Sequence, residues 1–237
     1  MDVYQIIQEM QQENHERTIK NLKQISIHHS LLEDQKKYSS ENLIHLEPPL
    51  QRSIQTLQDV LNQRTAIKKF ESTPINLLDL SSILATIEKS DELNWGIFRE
   101  LGIDLNIYIL ARNIENLTSP NIYKYIPSEH ALSLVSKRNT TLKNKLDTII
   151  LQKEFIDAPA LILCTGMVAA SIDVLGNHGY RQMLVRGGNA MNTAWLATLS
   201  LGYQGSIFAG FYHDALVELF GFDGYKEMLL LAFAFGR

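Results

Sequence analysis

The side chains best placed for chemistry in this sequence are cations. Arg64 and Lys68 stand four apart in Arg64-Thr65-Ala66-Ile67-Lys68-Lys69-Phe70, a spacing that shares one face if the segment is helical. A guanidinium grips an oxyanion through two parallel N–H donors, and an ammonium adds a point charge. Taken alone, such a pair more often marks a solvated face. A second candidate is the stretch Phe208-Ala209-Gly210-Phe211, where glycine lets the backbone approach a ligand closely. The third is Gly187-Gly188 inside a long helical pattern. Each glycine there costs about 1 kcal/mol against alanine, so the pair calls for a reason: a tight helix crossing, or a flat ligand lying on the backbone. The seven histidines form no HExxH or Cys/His ligand set, so no metal site is expected. His28-His29 reads as solvent-facing, and His178 and His213 as helix-flanking surface residues. There is no nucleophile elbow, phosphate loop or GxGxxG.

The elements that must position these groups follow from periodicity. Asp2 to Ile25 reads as an amphipathic helix, with Val3, Ile6, Ile7 and Met10 at helical spacing. Ser26 to Pro49 is polar and ends in Pro48-Pro49, as a connector or arm does. Residues 1–50 are therefore set apart from a domain at 51–237. Within the domain, helices are expected at Ile54–Gln63, Asn76–Glu88, Lys143–Gln152, Tyr180–Leu201 and His213–Phe220. Strands are expected at Asp104–Ala111, Ala160–Thr165, Gln204–Ala209 and Glu227–Phe235, with a hairpin from Ile122–Tyr125 and Ala131–Val135. The run from Ala160 is apolar on both faces, as a fully buried strand is. Gly202 closes the long helix.

Composition narrows the class. Hydrophobic residues make up 45% and charged residues 20% of 237 residues, the balance of a folded globular chain. A net charge of −4 argues against a nucleic-acid binder, which needs a basic face. The single cysteine, Cys164, lies in an apolar run and reads as a small buried hydrophobe that fits a reducing cytoplasm. No signal peptide opens the chain, and the apolar stretches are too short to span a bilayer.

Two stretches carry a resemblance. Arg64-Thr-Ala-Ile-Lys-Lys-Phe70, followed by Pro74 and a helix, is similar to the Arg-Arg-Ser-x-Arg-x-Phe opening of nitroreductase-fold flavoproteins. From Phe155 onward, Asp157-Ala-Pro-Ala160, Gly179-Tyr-Arg181, Gly188, Leu201-Gly202, Gly210-Phe211, Asp214-Ala-Leu216 and Phe235-Gly-Arg237 fall in family order. The series most resembles the SagB-type dehydrogenases, which oxidise azolines to azoles in ribosomally made peptides. The resemblance implies a dimeric α+β fold with a central mixed or antiparallel sheet flanked by helices; the helix Tyr180–Leu201, apolar around much of its surface, is expected in the dimer interface. It implies FMN as cofactor, held by Arg64, Thr65, Ala66 and Lys68. Backbone at Ala209 and Gly210 would lie near the flavin N5, and Arg237 would be a second cation or the closure of the sheet edge.

Several positions depart from that pattern. Ala66 stands where the family has serine, and Ile97–Gly102 replaces a Pro-Ser-x-Gly segment. Val174 and Leu175 occupy the positions of a Lys-Tyr pair, of which the lysine is the plausible base, and neither can move a proton. Arg186 replaces a glutamate. No residue is therefore assigned as catalytic. The reading is an FMN-dependent oxidoreductase acting on a modified peptide, by azoline oxidation or dehydroamino acid reduction. The alternative is a degenerate subunit that scaffolds or partners an active paralogue. Partners are the modified peptide and a second subunit, in a homodimer or a heterodimer with a related chain; neither nucleic acid nor membrane is expected. The amphipathic N-terminal helix, joined by a polar arm, is expected to pack on another chain. Deleting residues 1–45 should then change the oligomeric state by light scattering or lower the melting temperature.

Overall fold

Strands rich in Ile, Leu, Tyr and Phe pair into one seven-stranded sheet. The computed structural model describes residues 5, 6, 8, 9, 43–49, 55–135, 149–212 and 223–237. The strands are β1 (Leu43–His45), β2 (Leu105–Ala111), β3 (Asn121–Ile126), β4 (Ala131–Leu134), β5 (Ala160–Met167), β6 (Gln204–Phe208) and β7 (Glu227–Gly236). They lie in the order β1-β4-β3-β2-β5-β7-β6, and every neighbouring pair is antiparallel. The helices are α1 (Leu57–Gln63), α2 (Leu77–Glu100), α3 (Val168–Leu175) and α4 (Asn177–Ser200). Among the described residues no helix is long and apolar enough to cross a membrane.

Strand β5 has no solvent face. Ala160, Ile162 and Cys164 join a core with Ile83, Leu84, Met191, Phe233 and Phe235. Leu161 and Leu163 join a second core with Tyr108, Leu110, Ile150, Phe155 and Phe208. Alternation along a strand sends successive side chains to opposite faces, so the two cores lie on opposite sides of the sheet. Cys164 is fully buried, and burial pushes its thiol up to about 12.

The structure corrects several expected boundaries. Helix α2 runs on to Glu100, carrying Gly96 in its interior, and Gly102 follows its end at φ 73°. The expected helix at 180 begins at Asn177 and is preceded by the separate helix α3. Of the helix expected at Lys143–Gln152, residues 143–148 lie outside the described residues. Of the described part, Ile149 is helical and the chain leaves the helix after it: Ile150 bridges Phe211 and Leu151 N–H donates to the Gly210 carbonyl. Residues 5, 6, 8 and 9 are helical and exposed; the rest of the expected N-terminal helix, and that at 213–220, lie outside the described residues.

The end of the expected arm is a strand. β1 pairs with β4, and a polar clasp follows it: Ser81 Oγ donates to the Glu47 carbonyl at 2.5 Å, His130 Nε2 lies 2.8 Å from Ser81 Oγ, and the Tyr125 hydroxyl lies 2.8 Å from His130 Nδ1. Each polar atom brought inside finds a partner, as burial requires.

Gly187 has a packing reason, though not a helix crossing. A Cβ there would stand 2.8 Å from Leu230 Cδ1 and 3.0 Å from its Cβ, so α4 lies against β7 through this residue; at Gly188 a Cβ would meet nothing within 4 Å. One residue earlier, Arg186 is 2% exposed yet fully partnered. Its Nε and Nη2 donate to the two Asp91 oxygens at 2.7 and 2.6 Å, and Nη1 donates to the Ile103 carbonyl at 2.5 Å. This fork ties α4 to α2. Removing one member leaves the other charge buried alone. Asp91→Ala should therefore cost about 3–5 kcal/mol in urea unfolding, whereas the double variant Asp91→Leu/Arg186→Met should recover much of the loss.

Candidate functional site

The segment that carries the first cations begins where a well-capped helix ends. The Thr56 hydroxyl accepts from Asp59 N–H at 3.2 Å while Asp59 Oδ2 accepts from Thr56 N–H at 3.3 Å, a reciprocal cap that fixes the start of α1. Arg64 is its C-cap. Residues 64–70 are not helical, so Arg64 and Lys68 do not share a helix face. The Arg64 guanidinium lies over the Trp195 ring on α4, 5.0 Å from the centroid. Lys68 Nζ reaches Glu154 at 2.8 Å, and that hydrogen bond holds the Glu154 carboxyl below its ordinary value. Between them the Ile67 carbonyl accepts from Ser206 Oγ at 2.5 Å, which pins the segment to the edge strand β6. Thr65 and Ala66 are exposed.

The glycine turn meets the same corner as Lys68. Gln152 Oε1 lies 1.9 Å from where a Gly210 Cβ would stand, so glycine lets the Gln152 amide rest against the backbone and a larger residue would push that amide aside. Gln152 caps the short turn Lys153–Phe155 that contains Glu154. The Phe208 ring stacks between Phe155 at 4.4 Å and Phe211 at 5.0 Å, which stiffens the approach to Ala209 and Gly210. Gln152 Oε1 is buried without a hydrogen-bond donor among the described residues, and so is the Trp195 Nε1–H, under Arg64, without an acceptor. A buried polar atom left unpaired suits a ligand that completes it.

Arg237 rests on a different ring from Arg64. Its guanidinium lies over Tyr203, 5.3 Å from the centroid, and its carbonyl accepts from Glu71 N–H. Burial pushes the Tyr203 hydroxyl above its ordinary value, and that hydroxyl donates to Asp79 at 2.8 Å. Arg237 lines a cleft of about 590 Å³ with Ile67, Lys69, Phe70, Glu71, Gly202 and Gln204. Val174 packs against the helix-side core, and His178 is exposed and bonded to Gln182 at 2.8 Å. Sequence reasoning missed Gln152, Glu154, Trp195 and Lys69 as neighbours of the site. Nothing local marks Gln152 or Glu154, since both reach the corner only through the pairing of 149–151 with 210–212.

The residues present fit a flavin mononucleotide at both ends. Arg64 is an exposed guanidinium with no ion pair to any described residue, the chemistry a phosphate needs. The orphaned Gln152 acceptor beside Gly210 suits a flat ring that carries an N–H donor. Because a Cβ at Gly210 would meet only the movable amide end of Gln152, Gly210→Ala should cost about 1 kcal/mol or less. Combining it with Gln152→Ala should recover most of that loss, a coupling that a double-mutant cycle in urea would measure.

The nitroreductase family model matches residues 61–237. A nitroreductase-family protein of Methanocaldococcus jannaschii is 27% identical over 178 residues, covering 73% of this chain and 88% of that one. Among solved structures, one of a nitroreductase from Anabaena variabilis superposes with a TM-score of 0.67 at 19% identity, covering 82% of this chain and 41% of that one. The Escherichia coli microcin synthetase McbBCD complex with truncated pro-MccB17 bound gives a TM-score of 0.57 at 17% identity, covering 95% of this chain and 86% of the matched chain. A nitroreductase from Exiguobacterium sibiricum in complex with FMN gives 0.51 at 11% identity, over 78% of this chain and 90% of that one. At these identities the structures speak for the fold, and the family model speaks for descent: the chain belongs to the nitroreductase family of flavin-dependent oxidoreductases.

Proposed function

We propose that this protein is an FMN-dependent oxidoreductase of the SagB type that acts on a modified peptide. One observation carries the reading. Arg64, a cation without a described counter-ion, stands at one end of a non-helical segment whose other end, Lys68, reaches the corner holding Gly210 and the orphaned Gln152 acceptor. Four residues of extended chain span roughly 13 Å, which suits a ligand with a phosphate at one end and a flat ring at the other. FMN, when bound, supplies two-electron redox chemistry. The chain's own residues bind and orient: Arg64 grips the phosphate, Thr65 and Ala66 offer backbone beside it, and Lys68 brings positive charge to the ring end. Ala209 and Gly210 present backbone to the ring, close because glycine leaves room. Likeness to a microcin synthetase subunit over nearly the whole chain supports a peptide substrate and a partner subunit. Leu93, Ile97 and Val185, exposed on α2 and α4, suit the interface of a homodimer or of a heterodimer with a related chain.

A second reading, a degenerate subunit that partners an active paralogue, is favoured by Val174 and Leu175. They end α3 as apolar, half-buried residues and cannot accept a proton. Arg186 does not substitute, because its guanidinium is consumed by Asp91 and Ile103.

The purified protein is expected to show a flavin absorbance band, or to gain melting temperature with added FMN. Arg64→Ala should weaken FMN about ten- to a hundredfold, the worth of a charge-assisted contact of about 1.5–3 kcal/mol, and Ala66→Ser should match or improve affinity. No band and no thermal shift at millimolar FMN would transfer the weight to the degenerate subunit.

A further inference from the structure

We infer that the cleft beside Arg237 is a second oxyanion site, separate from the one at Arg64. It takes the phosphate or carboxylate of the molecule that exchanges electrons with the flavin; this last clause rests on the function proposed above.

The cleft is lined by two cations, Lys69 and Arg237, and one acid, Glu71. Neither cation forms an ion pair with a described residue, although Lys68, one position earlier, is paired with Glu154. Glu71 Oε2 accepts instead from Thr73 Oγ1 at 3.4 Å. The lining therefore carries one net positive charge, complementary to an anionic group. Arg237 is held in place rather than waving in solvent. Tyr203 lies beneath its guanidinium, the Tyr203 hydroxyl is anchored to Asp79 at 2.8 Å and accepts from Asn76 N–H at 3.3 Å, and Glu71 N–H fixes the Arg237 carbonyl. A cation ordered in advance loses little freedom on binding. Ile67 and Phe70 add an apolar wall. A volume of about 590 Å³ is far larger than an inorganic anion needs and lies in the range of small-molecule clefts, so the anion should carry a body.

Two observations separate this cleft from the Arg64 site. Arg64 is not among its lining residues. The two guanidinium groups lie over different rings, Arg64 over Trp195 and Arg237 over Tyr203.

Calorimetric titration with inorganic phosphate tests the site on the full chain, with and without saturating FMN. With FMN saturating and the Arg64 site filled, wild type should still bind it, Lys69→Gln and Arg237→Ala should each weaken it at least tenfold, and Arg64→Ala should leave it unchanged. FMN should not compete. Lys69 is exposed, so Lys69→Gln should keep the wild-type melting temperature and the result cannot be blamed on unfolding. Two further probes separate the sources of the anion: a reduced nicotinamide dinucleotide, and a short peptide with a free C-terminal carboxylate set against its amide. Binding of either that depends on Lys69 and Arg237 supports the assignment. Phosphate binding indifferent to both cations overturns the site, and competition by FMN returns the cleft to the flavin. Phosphate binding without either larger probe overturns the assignment to the second reactant. A protein that binds phosphate as expected but never binds FMN would sink the flavin reading and leave the oxyanion site standing.

Discussion

A strand without a solvent face must be covered twice, and β5 imposes that demand on the whole chain. Its even residues need the helices α2 and α4, and its odd residues need a second layer built from Ile149, Ile150, Phe155 and Phe208. Apolar burial of about 25 cal/mol per Å² favours filling both sides. The segment 64–70 therefore has to pass from one side to the other. Arg64 rests on Trp195 of the helix side, Ile67 is pinned to the edge strand β6, and Phe70 packs into the second core. The separation of Arg64 from Lys68 is a consequence of this wrapping.

Electrostatics then sort the cations by burial. Arg186 lies inside and is tolerable only because Asp91 and the Ile103 carbonyl occupy its fork; a buried guanidinium without them would be prohibitively desolvated. Arg64, Lys69 and Arg237 stay at the surface, where solvation makes an unpaired charge cheap and leaves it available to a ligand. Arginine at 186 is thus a structural choice that Asp91 accommodates, and it leaves the ligand-facing charges to other positions. Likewise Val174 on α3 packs against the helix-side core, so that position serves the fold whatever chemistry it does or does not perform.

The corner at Gly210 shows how a site depends on contacts distant in sequence. Gly210 lies against the amide of Gln152, nearly sixty residues away, and Gln152 arrives because 149–151 pair with 210–212. Local helical periodicity at Lys143–Gln152 pointed the other way. It holds at Ile149 and gives way from Ile150 onward to hydrogen bonds and apolar contacts that only the assembled fold offers.

By itself the sequence determined the α+β class, most strands and helices, and the burial of Cys164, because apolar periodicity and caps are local properties. It also marked Arg64, Lys68 and Gly210 by residue type and order. Tertiary structure alone decided which of these stand together. It put Lys68 with Glu154 near Gly210, set Arg237 and Lys69 on one cleft, fitted Gly187 to Leu230, and gave Arg186 to Asp91. Each of these is a meeting of side chains far apart in the chain, fixed by the crossing of elements and by what burial demands of a charge, and neither is written in any local window of residues.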